Sequence, residues 1–426
     1  MRNAILRVLV ITVTFGASAL LSACGGGSGL TGSSSGGGSS GGGLPAGANS
    51  VVAVIDGGPN GNAPNTLYTS VQVCAHGSST NCQIIDHIQV DTASYGFRVL
   101  APVLTVSGLA PTTDPSGNAI IECTAFVDGY SWGPVTTVDL TVGGLTASNI
   151  PIQVIGDSAY ANMVPSSCSN GQTAENTVAA FGANGILGVG FFAEDCGSYC
   201  ASGTTAPPGQ YYACSNAGIC NPTLVSKAQQ VLNPVPLFGT NSNGVVIQVP
   251  QVYSPGASTA TANVIFGIGT ETNNQLTAAH LFGVYGSDCQ VYSGCPGTFI
   301  STYAGTTEAG FLDSGSNAYF FKDSSINNCV APNPGFYCPA ASLALTATIQ
   351  GVNAQPNAVN VNFTIDNALT LFSTGDFALP TLGGGSSSLG ASFDWGMPFF
   401  YGKTMFFAME GATVAGASSA GPWVGF

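Results

Sequence analysis

The chain has 426 residues, enough for two domains or lobes, and only 6% of them are charged while 59 are Gly. So few Glu, Lys and Arg speak against a fold built on long helices, and short Val/Ile/Thr/Phe runs broken by Gly, Asn, Pro and Ser favour an all-β fold. Behind the N-terminal segment, four strong bases (Arg98, Lys227, Lys322 and Lys403) stand against 20 acids, a formal charge of −16. Such a surface repels nucleic acid and anionic lipid, so no nucleic-acid partner is expected.

The chain opens with Arg2 and Arg7 around a short apolar segment that ends "LSAC" at Leu21–Cys24. A basic start, an apolar stretch and small residues before the cut predict a signal peptide over residues 1–23. A cysteine at that place resembles a bacterial lipobox, which implies that Cys24 is lipidated and becomes the mature N-terminus. Gly rather than Asp follows it, which favours an outer-membrane lipoprotein of the bacterial cell envelope. Residues 24–47 are then the lipidated cysteine and a flexible Gly/Ser tether. No other run is long and apolar enough to span a bilayer.

Folding is expected to begin near Ala48. "TLYTSVQVCAHGSSTNCQIIDHIQVDTAS" reads as a β-hairpin that leads into the strand ending at Asp91, and "PVTTVDLTVGGLTASNIPIQVIG" as two more strands. Glu194–Cys220 reads as a long Cys-rich loop insertion, and Asn221–Leu232 as the one helical patch. Setting Cys24 aside leaves twelve cysteines, an even number that predicts disulfides in an exported chain. Cys74/Cys82, Cys289/Cys295 and Cys329/Cys338 each bracket a turn-rich stretch and suit local bridges. Cys196, Cys200, Cys214 and Cys220 crowd one loop, where a zinc site is the weaker rival because no histidine is close in sequence. No metal or cofactor is otherwise expected.

The chain repeats itself. Asp91 ends an apolar run and is followed by Thr92-Ala93-Ser94; Asp313 does the same in "GFLDSGSNAYFF", followed by Ser314-Gly315-Ser316. Behind each comes an apolar-Gly element, "NGILGVGFF" with Gly188 and "FDWGMPFF" with Gly396. This pattern predicts two lobes of like construction, residues 48–235 with Asp91 and residues 236–426 with Asp313.

In these motifs the chain resembles the pepsin-like aspartic proteases, whose marker is apolar-Asp-[Thr/Ser]-Gly-[Ser/Thr] once per lobe with an apolar-apolar-Gly element behind it. It is also similar to a family of bacterial lipoproteins of unknown function. The resemblance covers most of the chain from about residue 65. "FVDGYSWGPVTTVDLTVGG" falls where such proteases have their flap hairpin, and "ANVIFGIGTETN" resembles the strand that opens the second lobe. It implies a bilobal, pepsin-like fold of two related β-barrel-like lobes with a cleft that takes a peptide or protein. Asp91 and Asp313 would share one proton and activate a water for peptide cleavage, with no cofactor, in a monomer. Ser94 and Ser316 would donate to the outer carboxylate oxygens, and Thr92 and Ser314 would cross-link the two loops.

The chain also departs from that pattern. Ala93 stands where the proteases have Gly, which a loop with negative φ would tolerate. Arg98 stands where they usually have Trp; it either reaches the aspartates or pairs with an acid such as Asp128. The flap Tyr falls on Phe126, with Tyr130 the nearest alternative, and Phe126 has no hydroxyl to offer. Two further readings follow. One is a pepsin-fold binding or structural lipoprotein with a degenerate site. The other takes "GYSWG" at Gly129–Gly133 as a nucleophile elbow with Ser131 as a hydrolase nucleophile, although the residues after it read as a strand.

Overall fold

The structure, a computed structural model, describes residues 49–126, 129–292, 294–352, 358–385 and 392–426. It is all-β. A 16-stranded and a 7-stranded sheet carry the chain, and its helices are single turns. The expected signal peptide, Cys24 and the whole of the expected tether lie outside the described residues.

The expected hairpin is Leu67–Ala75 against Cys82–Asp91, closed by a Cys74–Cys82 disulfide across its last register pair. The next two strands are also where alternation placed them, Gly129–Val142 against Leu145–Ile155. Val71, Val73, Val138, Leu140 and Ile152 point inward from these strands to one core.

Each lobe then makes the same three-strand motif. In the first, Cys82–Asp91 runs parallel to Gly185–Val189, with Asp91 opposite Gly188. The chain turns through Thr92–Ser94 and returns as Tyr95–Leu100 on the other side of Gly185–Val189. In the second, Thr306–Asp313 runs parallel to Ser392–Gly396 with Asp313 opposite Gly396, and Tyr319–Phe321 returns antiparallel to Ser392–Gly396. Both glycines are required by close approach. A Cβ at 188 would lie 2.6 Å from the Tyr95 nitrogen, and one at 396 would lie 2.2 Å from the Ala318 oxygen. This bilobal arrangement, with one aspartate loop per lobe, is the pepsin-like fold.

A run of six strands joins the lobes. Ser50–Ile55 pairs with Ala260–Phe266, which continues through Gly244–Gln248, Thr404–Ala408 and Trp423–Gly425 to Leu281–Gly283. The second aspartate loop rests on an aromatic core. Trp395 is fully buried, stacks on Phe393 with ring centroids 4.1 Å apart, and donates Nε1–H to Ser301 Oγ at 2.9 Å.

Two expectations are corrected. Asn221–Leu232 is not a helix: it begins in the strand Cys220–Pro222 and holds only a 3-10 turn at Lys227–Gln229. Its extended path carries Val225 and Val231 into a small core with Cys196, Cys200 and Tyr211, and the Val231 N–H donates to the Tyr211 hydroxyl at 2.8 Å. Tertiary packing overrides a weak local preference there. The stretch Glu194–Cys220 is more than a loop, because Tyr211–Cys214 pairs with Ala119–Ala125 as a sheet strand. The zinc alternative is closed: Cys196 bonds Cys200 and Cys214 bonds Cys220. The three local bridges form as expected, and Cys123–Cys168 completes the set of six. That many disulfides belong to a chain that folds in an oxidising compartment outside the cytoplasm. Among the described residues, no helix is long and apolar enough to cross a membrane.

Candidate active site at the lobe interface

The two aspartate loops meet between the lobes. Thr92 and Ser314 bind them reciprocally, as the resemblance implied. Ser314 N–H donates to Thr92 Oγ1 at 3.0 Å and Thr92 N–H donates to Ser314 Oγ at 3.2 Å. Their hydroxyl protons go onward, Thr92 Oγ1 to the Leu312 carbonyl at 2.9 Å and Ser314 Oγ to the Val90 carbonyl at 2.8 Å. Gln89 adds a further link, with Nε2 donating to the Gly315 carbonyl at 2.8 Å. Asn65 ties the first lobe to the region behind the second loop, donating Nδ2 to Asn317 O and Leu379 O, both at 2.8 Å.

This clamp brings the carboxyls together. A Cβ added at Gly315 would lie 2.9 Å from both Asp91 Oδ1 and Asp313 Oδ1. The amide two residues on supports each inner oxygen: Ala93 N–H donates to Asp91 Oδ1 at 2.8 Å and Gly315 N–H to Asp313 Oδ1 at 2.7 Å. Ala93 is not among the residues with positive φ, so its methyl leaves this geometry intact. Asp91 and Asp313 are both fully buried. Burial pushes the Asp313 carboxyl well above the usual range, and the negative charge of Asp91 beside it pushes it the same way.

The outer oxygens differ. Ser316 Oγ donates to Asp313 Oδ2 at 2.8 Å, as expected. Ser94 does not do the same for Asp91: its hydroxyl and Asp91 Oδ2 are buried without hydrogen-bond partners. The two loops match in the amide that supports each inner oxygen but differ in the serine contact to the outer one.

Arg98 does not serve the aspartates. It is fully buried and lies against Glu122, with Nη2 2.5 Å from Oε1 and Nε 3.1 Å from Oε2. Nη2 also reaches Asp195 Oδ2 at 3.3 Å, Nε reaches Thr124 Oγ1 at 3.1 Å, and Nη1 donates to Tyr95 O at 2.8 Å. Asp128, the partner suggested by sequence, lies outside the described residues. Burial raises the Asp195 carboxyl well above its usual range, the negative charge of Glu122 adds to this, and Arg98 opposes it.

The flap hairpin is formed by Ala119–Ala125 and Gly129–Val142, and its tip at residues 127–128 is outside the described residues. Phe126 packs on Phe181 with ring centroids 6.0 Å apart, and Tyr130 joins Cys123, Trp132, Cys168 and Tyr212. Neither is hydrogen-bonded to the aspartates. Ser131 is corrected: it lies within the strand Gly129–Val142, fully buried, and donates to Gln153 Oε1 at 3.0 Å. A nucleophile elbow needs an exposed serine at the mouth of a helix, so the serine-hydrolase reading falls.

Sequence reasoning missed Asp394. It is fully buried two residues before Gly396, with Oδ2 2.5 Å from Ser316 Oγ. The signal was present in "FDWG", where an acid occupies an apolar position that holds Ile186 in "GILG".

Fold and loops together define a bilobal β-protein of pepsin-like build with two facing aspartates. Residues 45–426 match the family of proteins of unknown function DUF3443, and the chain belongs to that family. No curated protein matches it. Among solved structures, the aspartic proteinase of Irpex lacteus is similar at a TM-score of 0.47 and 15% identity, covering 84% of this chain and 94% of that one.

Proposed function

We propose that the protein is an envelope lipoprotein, anchored through Cys24, whose interface site works as an aspartic peptidase on extended peptides lying between the lobes. The observation that carries this reading is the pair itself: two buried carboxyls on loops clamped by Thr92 and Ser314, each with its inner oxygen held by an amide. Two such groups cannot both ionise cheaply and hold one proton between them. The ionised member would take a proton from a water as its oxygen attacks the scissile carbonyl, while the protonated member donates to the carbonyl oxygen. The proton taken from water then passes to the departing amine as the tetrahedral intermediate collapses. Asp91→Asn and Asp313→Asn are each expected to abolish cleavage of an unstructured peptide substrate between about pH 2 and 7 without unfolding the chain, because the pair acts as one unit.

A second reading has its own support. Asp91, Asp313, Thr92, Ser94, Ser314 and Ser316 expose nothing to solvent, and the flap's Tyr130 packs with Cys123, Trp132, Cys168 and Tyr212. On that reading the lobes hold a peptide or protein without cutting it. A statine peptide separates the two. Binding that depends on both aspartates supports the peptidase, whereas a protein that cleaves nothing and binds no such peptide would stand as a binding or structural lipoprotein.

A further inference from the structure

Ser316 stands between two carboxyls, with Oγ 2.8 Å from Asp313 Oδ2 and 2.5 Å from Asp394 Oδ2. A serine hydroxyl has one proton to donate. Both contacts are hydrogen bonds only if one of the carboxyls donates a proton of its own. Either Asp394 donates to Ser316 and Ser316 to Asp313, or the chain runs the other way.

The remaining oxygens decide the direction. Asp313 Oδ1 accepts the Gly315 N–H at 2.7 Å, so an ionised Asp313 would have a donor on each oxygen. Asp394 Oδ1 is buried and has no partner. An ionised Asp394 would keep a single donor in a fully buried place, which is the more expensive position for a charge. Nothing nearby relieves it. Asp394 lies in Ser392–Gly396 between Thr306–Asp313 and Tyr319–Phe321. Its register partners are the apolar Phe311 and Phe320, and the ionisable groups that act on it are Asp313 through Ser316 and Asp91 across the interface; no cation acts on it among the described residues. The first lobe supplies an internal comparison. There Ile186 takes the register position of Asp394, and the Ser94 hydroxyl makes no hydrogen bond.

We propose that Asp394 is a neutral acid that donates its proton to Ser316 Oγ, forming an Asp394–Ser316–Asp313 chain that places negative charge on Asp313 rather than on Asp394. Hydrogen bonds in such a chain polarise one another. Asp394 is then a positioning residue: it touches no substrate and acts on Asp313 through Ser316. Its effect on turnover rests on the peptidase reading, but the proton's location does not.

The test is infrared spectroscopy of the full mature chain in deuterated buffer at neutral pH. Wild type is expected to show a carboxylic-acid carbonyl band that Asp394→Asn removes and Asp313→Asn leaves in place. The other buried acids, Asp91, Glu122, Glu175 and Asp195, are separated by the bands lost when each is replaced by its amide. In Ser316→Ala the Asp394 proton loses its acceptor, so the band should move to higher frequency. An Asp394→Asn spectrum identical to wild type overturns the proposal. So does loss of that band in Asp313→Asn, which would put the proton at the other end. Should the Asn variant not fold, Ser316→Ala decides alone, and an unmoved band refutes the chain. If the protein cleaves peptides, Ser316→Ala should shift the alkaline limb of the pH profile upward, because Asp313 loses the hydroxyl that favours its charge, whereas Asp394→Asn, whose amide keeps donating to Ser316, should not; an unchanged limb in Ser316→Ala removes the tuning role. A protein inert on every peptide but with the Asp394 band intact supports the chain and discards only the peptidase.

Discussion

Thr92 Oγ1 and Ser314 Oγ each accept the other residue's backbone N–H, at 3.0 and 3.2 Å, across the boundary between the lobes. The two hydroxyls hold the aspartate loops in register, so either loss disturbs both. Thr92→Val and Ser314→Ala each leave a buried N–H unpaired, expected to cost about 1–3 kcal/mol in urea unfolding. The double variant should lose less than the sum, because the partners share one network. Strict additivity would show that the loops are held by something else.

Gly315 and Ala93 occupy equivalent places with unequal tolerance. A methyl at 315 would sit 2.8 Å from the Asp91 carboxyl carbon, whereas Ala93 already carries its methyl at negative φ. Gly315→Ala is expected to push the carboxyls apart and abolish statine-peptide binding. Ala93→Gly should change stability by no more than about 1 kcal/mol through chain entropy. Calorimetry and a binding titration on the two variants check this pair of outcomes.

In the buried cluster of the first lobe, Glu122 carries the charge that balances Arg98, while Asp195 is pushed toward its neutral form by burial and by Glu122. Glu122→Gln should therefore destabilise by about 3–5 kcal/mol, the effect of leaving a buried guanidinium without its partner. Asp195→Asn keeps an acceptor for the Tyr211 hydroxyl, now 2.7 Å from Oδ1, and is expected to cost far less. Equal losses in chemical unfolding would contradict this division of charge.

Asp313 predicts a pH dependence. Burial and its acidic neighbours raise its folded value above the unfolded one of about 3.9. Within that window the folded state binds the proton more tightly, so stability falls as pH rises. Asp313→Asn removes the penalty. Its Tm should exceed that of wild type at pH 7 and equal it near pH 3, where the acid is protonated in both states. A lower Tm at pH 7 would mean that the ionised carboxylate stabilises the fold.

Anchoring is tested at the other end of the chain. Cys24→Ala is expected to move the protein from the membrane fraction to the soluble envelope fraction, and unchanged fractionation would reject lipidation as the main anchor.

Much of this protein was legible in its sequence because the signals are local. Scarce charge and turn-broken Val/Ile/Thr runs specify strands, alternation sets which face is buried, and a cysteine on either side of a short turn has only one near partner. The repeated Asp-[Thr/Ser]-x-Ser loops, each followed by an apolar element ending in Gly, were readable because each lobe must build the same turn around the same kind of strand. Only the tertiary structure decided what surrounds those loops. Arg98 finds its acids 24 and 97 residues away, Asp394 meets Ser316 at a separation of 78, and Cys123 reaches Cys168 across 45. Val225 and Val231 leave a helical pattern to fill a core that the Cys196–Cys200 turn and Tyr211 create. Burial, charge state and proton position depend on groups brought together by folding over such distances, and no local pattern of residues encodes them.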